Sequence, residues 1–126
     1  MRAIHRWSVP SSARALTNPV AFSPQVWVES RAHFADHCAS CHANDGSGDT
    51  EIGRSLFPKA PDMRLASTQD KSDGELYWII ENGIRLTGMP GYGDSLSDAE
   101  MWQVSLLLRH ADKLPPSVLQ ILRGVN

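Results

Sequence analysis

The chain has 126 residues, of which 41% are hydrophobic and 21% charged, and its formal net charge is −2. That length holds one ordinary domain rather than two, and the composition is that of a soluble globular protein. No basic stripe interleaves with aromatics, which argues against a nucleic-acid partner.

Residues 1–22 read as an extended arm without repeats, and residues 23–126 as the folded domain. The first 28 residues hold Arg2, Arg6 and Arg14 and no acid, so the acidic excess lies beyond them. Nothing in residues 1–30 resembles the apolar core of an export signal or a membrane span. Arg2, Arg6 and Trp7 nevertheless suit a segment just outside a bilayer.

The first helix is expected from Ser23-Pro24, an N-cap serine with proline at the first helical position. Trp27, Ser30, Phe34, Cys38 and Cys41 then recur at steps of three and four, giving one helical face. A long irregular loop from about Asn44 to Asp70 follows, broken by Gly46, Gly48, Gly53, Pro58 and Pro61. Asp45, Ser47 and Asp49 imitate the start of a calcium loop. The glycine that such a loop requires is replaced by Thr50, so this is read as a turn.

Ser72-Asp-Gly-Glu75 is a capping box opening a second helix, with Leu76, Ile79 and Ile80 on its apolar face and Asn82-Gly83 as its stop. Ser97-Asp-Ala-Glu100 opens a third, whose buried stripe is Met101, Val104, Leu107 and Leu108. Val118, Ile121 and Leu122, ending at Gly124, suggest one last short helix. Every ordered segment reads as α.

The motif that carries chemistry is Cys38-Ala-Ser-Cys41-His42, the C-x-x-C-H spacing of covalent haem attachment. On a helix these three side chains share a face. Two thiols can add to two vinyl groups, and the histidine is then delivered to the iron as proximal ligand. Structural zinc would need four closed ligands, but these are the only cysteines. His5, His33, His37 and His110 supply no paired second arm. A thioredoxin-like dithiol would want a preceding strand, and the preceding segment is helical.

Met89 lies 47 residues beyond His42, inside the Gly/Pro-rich loop Gly88-Met-Pro-Gly91-Tyr-Gly93. That separation lets the chain pass round a haem, and the glycines permit close backbone approach. A thioether opposite histidine favours reduced iron. Met63 and Met101 compete less well for this role, as do His33, His37 and His110.

With both motifs in hand, the chain resembles class I monohaem cytochromes c, in the bacterial subgroup that pairs CxxCH with a GMP loop. The resemblance spans about residues 24–111 and implies an all-α fold, in which three main helices wrap one haem c held by Cys38 and Cys41. Phe34 matches the usual aromatic of the first helix. Ser30 stands where a glycine is customary at the helix crossing, and Leu107 where an aromatic is. Pro61 matches the proline whose carbonyl accepts the proximal histidine's N–H, with Pro58 as rival. Trp78, Tyr77 and Arg85 are candidates for binding the propionates.

The resemblance further implies one-electron transfer rather than enzymatic turnover, in a periplasmic respiratory or dehydrogenase-linked chain. The alternatives are an electron-entry subunit of a larger oxidoreductase and an open-site haem sensor or peroxidase-like protein. The partners are expected to be redox proteins, the acidic excess favouring basic ones, and the protein a monomer. Maturation outside the cytoplasm implies an export signal or membrane tether upstream of residue 1.

Overall fold

The structure, a computed structural model, describes residues 9–111. The suggested helix over Val118–Gly124 and the expectations for Arg2, Arg6 and Trp7 lie outside the described residues. Within them the regular elements are all helices: α1 (Ser11–Arg14), α2 (Pro24–His37), α3 (Ala39–His42), α4 (Glu51–Ser55), α5 (Ala66–Gln69), α6 (Asp73–Asn82) and α7 (Asp98–Arg109). Three are long and four are single turns.

The starts of the long helices follow from local chemistry. Ser23 Oγ accepts from the Val26 N–H at 3.1 Å, with Pro24 at the first position. Both capping boxes are complete, Ser72 with Glu75 and Ser97 with Glu100. Helix α6 stops at Gly83, whose φ is +72°.

Helices α2 and α7 pack most extensively against each other, and α6 packs on α7. Ser30 is almost wholly buried, and its hydroxyl donates to the Trp27 carbonyl at 3.0 Å. Ser105 on α7 is equally buried and donates to Met101 O at 3.0 Å. Each hydroxyl is thus satisfied within its own helix, so the serine that stands in place of a glycine is buried without an unpaired group. Leu107 is buried in the core cluster with Phe34, Leu76, Ile80, Met101, Val104 and Leu108. Polar pairs close the edges: Gln103 Nε2 to Glu29 at 2.7 Å, and His33 to Glu100 at 3.2 Å.

Two readings need correction. The first helix does not run unbroken into the attachment motif, because Cys38 departs from helical geometry at φ −119° and α3 restarts at Ala39. Nor is the arm extended throughout. Residues 11–14 form a helical turn docked on α6, burying Val9 and Ala13 against Ile79. Ser72 Oγ donates to Arg14 O at 2.9 Å, and Asn18 Nδ2 to Trp102 O at 2.9 Å.

Candidate haem-binding site

The attachment segment keeps one helical turn despite the break. His42 N–H donates to Cys38 O at 2.9 Å, and Cys41 N–H to the same oxygen at 3.2 Å. The following loop folds back onto this turn. Gly48 N–H donates to His42 O at 2.8 Å, and Thr50 Oγ1 donates to Cys41 O at 3.0 Å while capping α4 through Gly53 N–H. Gly48 lies so close to the Ala60 carbonyl that a Cβ there would stand 2.5 Å from it. The stretch 60–61 is thereby laid beside His42.

On the other side, the loop after α6 is pinned by its own turn. Thr87 Oγ1 donates to Ile84 O at 2.7 Å and accepts from Met89 N–H at 3.2 Å, while Ile84 N–H donates to Met89 O at 3.3 Å. Tyr92 O–H reaches across to donate to His37 O at 2.8 Å. That bond ties the methionine loop to the helix that precedes the attachment motif.

Between these two walls lies a cavity of about 260 Å³. Cys38, Cys41, His42, Pro61 and Met89 all line it, with Leu76, Ile79, Ile80, Ile84 and Leu108 as apolar walls. The rival residues Pro58, Met63 and His37 also reach it. Met63 is nearly buried in the core, its carbonyl accepting from Gln69 Nε2 at 2.8 Å. Met101 is buried in the core cluster and His110 bonds Leu106 O at 2.9 Å; neither lines the cavity.

Trp78, Tyr77 and Arg85 do not line it. Trp78 packs with Val9, Ala13 and Ile79 beneath the arm. Tyr77 stacks on Trp102, with ring centroids 4.1 Å apart, and Arg85 is exposed. The polar groups at the cavity include instead Lys59, Ser67, Thr68 and Lys71. Sequence reasoning passed over Thr50, Gly48, Gly53 and Tyr92. Their signals were present, but the loop glycines read only as breakers.

The donor chemistry fits haem. Burial, and secondarily the neighbouring Cys41, pushes the Cys38 thiol up to about 12, so it stays neutral, unlike the lowered thiolates of redox dithiols. Burial also lowers the pKa of His42, against an opposing pull from the Pro61 carbonyl. The imidazole is therefore neutral, the form that binds metal. Its Nδ1 is buried and completes no hydrogen bond. The Pro61 carbonyl is the backbone group that acts on this ring, and accepting its N–H is the role that would fix the orientation of a metal-binding imidazole.

A comparison with curated proteins gives no match. Residues 26–106 match the family model for cytochrome c oxidase, cbb3-type, subunit III. That is more than half of the chain, and the protein therefore belongs to this family of c-type cytochrome domains, electron-transfer proteins carrying covalent haem.

Proposed function

We propose that the protein is a monomeric one-electron carrier in a periplasmic respiratory or dehydrogenase-linked chain, free or tethered upstream, with one haem c. The observation that carries this reading is the convergence of Cys38, Cys41, His42 and Met89 on one largely apolar cavity. Haem bound there supplies an iron that cycles between ferric and ferrous states. Cys38 and Cys41 would hold it through thioethers, His42 and Met89 would be its protein ligands to iron, and Pro61 would orient the His42 ring. Lys59 and Lys71 are better placed for the propionates than Trp78 or Arg85. The apolar walls from α6 and α7 exclude water and so favour the less charged, reduced state. With His42 and Met89 both committed to the iron, no position would remain there for a substrate, which speaks against sensor or peroxidase chemistry.

The family's description as an oxidase subunit favours a second reading, an electron-entry subunit bound to a larger oxidoreductase. The test is expression behind an export signal with haem-maturation genes, followed by mass spectrometry and absorption spectra. The carrier reading expects one haem added, with a far-red ferric band lost in Met89→Ala. Bare polypeptide mass, or a high-spin ferric spectrum in wild type, would overturn it. Co-purification with other subunits would select the second reading.

A further inference from the structure

A second cavity, of about 310 Å³, lies between α2, the loop after the attachment motif and the end of α7. Val28, Phe34 and Ala35 of α2 and Leu107 and Leu108 of α7 make it largely apolar. Among the described residues it shares only Leu108 with the haem cavity. Val28 is 63% exposed and Ala35 is exposed as well, so the cavity opens to solvent along α2.

Among the described residues, three side-chain polar atoms are buried without a hydrogen-bond partner: His42 Nδ1, Arg31 Nε and Asn44 Nδ2. His42 lines the haem cavity, while Arg31 and Asn44 both line the second one. Folded chains leave few such groups unpaired, because a donor taken out of water without a new acceptor is costly. One carboxylate of the chain also reaches this wall. Asp45 is almost wholly buried, and its oxygens face the Ser47 N–H at 3.0 Å and Arg64 at 3.8 Å. That charge is answered by Arg64, whereas the Arg31 guanidinium makes no ion pair among the described residues. The cavity thus offers one uncompensated cation and a second unpaired donor between apolar walls.

We infer that this cavity binds a small organic carboxylate with an apolar body, its two oxygens accepting from Arg31 and Asn44. A cavity of this volume, mostly apolar with a few fixed polar groups, has the usual form of a small-molecule site. A guanidinium and an amide suit the two oxygens of a carboxylate. The apolar walls offer a bare inorganic anion nothing to replace its hydration. The inference goes beyond the electron-carrier reading and does not depend on it.

The probes are 3-phenylpropionate, its uncharged counterpart 3-phenylpropanol, and acetate, each titrated by calorimetry into the full haem-loaded chain. The acid is expected to bind at least about tenfold more tightly than the alcohol, and acetate, lacking the apolar body, not measurably. Arg31→Met weakens the acid about tenfold and leaves the alcohol unchanged, which a loss of packing alone would not do. Ala35→Phe fills the opening and abolishes binding of both. Melting curves of the haem-loaded variants show that each is folded. In the isotopically labelled protein the amides of Arg31, Ala35, Asn44 and Gly46 shift first. No binding of the acid, equal affinity for acid and alcohol, an Arg31→Met protein that still prefers the acid, or first shifts at the haem cavity would overturn the site. Binding that appears only once residues 112–126 are removed would also overturn it, giving the cavity to the chain's own end.

Discussion

Replacing Gly83 by alanine should dislodge the methionine loop while leaving the attachment motif intact. Gly83 sits at φ +72°, ψ −168°, a region that residues with a Cβ enter at a cost of about 1–3 kcal/mol. The new Cβ would also stand 2.6 Å from Met89 O, 2.6 Å from Pro90 C and 2.7 Å from Gly91 N. These are backbone atoms, so no side-chain rotation relieves the contact. Helix α6 cannot yield, because Leu76 and Ile80 are buried in the core and Gly83 N–H is bonded to Ile79 O at 2.7 Å. The loop must therefore move, and the Ile84 N–H to Met89 O bond goes with it, worth about 0.5–1.5 kcal/mol. The total is about 2–4 kcal/mol, a melting-temperature loss on the order of 10 °C. The assay is the far-red ferric band, read with the melting curve of the haem-loaded protein. Gly88→Ala is the control: its Cβ meets only the movable end of Leu56, so the band should persist. A Gly83→Ala protein with wild-type band and melting temperature would refute the reasoning.

Two further outcomes follow from single contacts. Arg109 joins the end of α7 to the α5–α6 corner, donating to Asp73 Oδ1 at 3.0 Å, to Gln69 O at 2.7 Å and to Lys71 O. Arg109→Ala should destabilise by about 2–3 kcal/mol, discounted for partial exposure, and Arg109→Lys should recover little, since an ammonium cannot make the fork. Thermal melts check this, with the haem spectrum unchanged. Burial first, and then the nearby Asp98 and Glu81 carboxylates, raise Tyr77 to about 12. Its folded pKa exceeds the unfolded value of about 10, so its contribution is full below pH 10 and lost as pH rises to 12. Tyr77→Phe should therefore lose less stability than wild type between pH 8 and pH 11 in paired melts.

The parts of this fold that were legible in the sequence are those decided locally. Ser23-Pro24 and the boxes at Ser72 and Ser97 each satisfy orphan N–H groups with a side chain a few residues away, so the spacing alone reveals them. The attachment motif is local in the same sense. Helices α4 and α5 were not legible, because four- and five-residue turns have little propensity of their own; α4 depends on Thr50 reaching Cys41 O, and α5 on Gln69 reaching Met63 O and Leu108 O. Residue type showed that Trp78 and Arg85 can donate, but not where they point. On α6 the positions facing the cavity are Leu76, Ile79 and Ile80, and Trp78 falls on the side that the arm covers.

The docking of the arm on α6 is the contact least legible in the sequence, and Gly74 tests it. In the first turn of α6, alanine is normally the better residue, by up to about 1 kcal/mol over glycine. Here a Cβ at Gly74 would stand 1.9 Å from Ala13 O and 3.0 Å from Leu16 O, so Gly74→Ala must lift the arm off the helix. Lifting it exposes Val9 and Ala13 and breaks the Ser72 Oγ to Arg14 O bond. Those losses come to about 2–3 kcal/mol. They exceed the propensity gain, and the net change should be a destabilisation of about 1–2 kcal/mol. Met89 packs partly on the same cluster, so its far-red band should weaken as the arm leaves. The decisive measurement is a double-mutant cycle with Val9→Asp, which releases the arm beforehand. In that background Gly74→Ala has no arm to displace, and its effect should turn stabilising. If Gly74→Ala stabilises the otherwise unaltered protein as well, the arm is not bearing on α6 and the cluster behind Met89 is not closed by it.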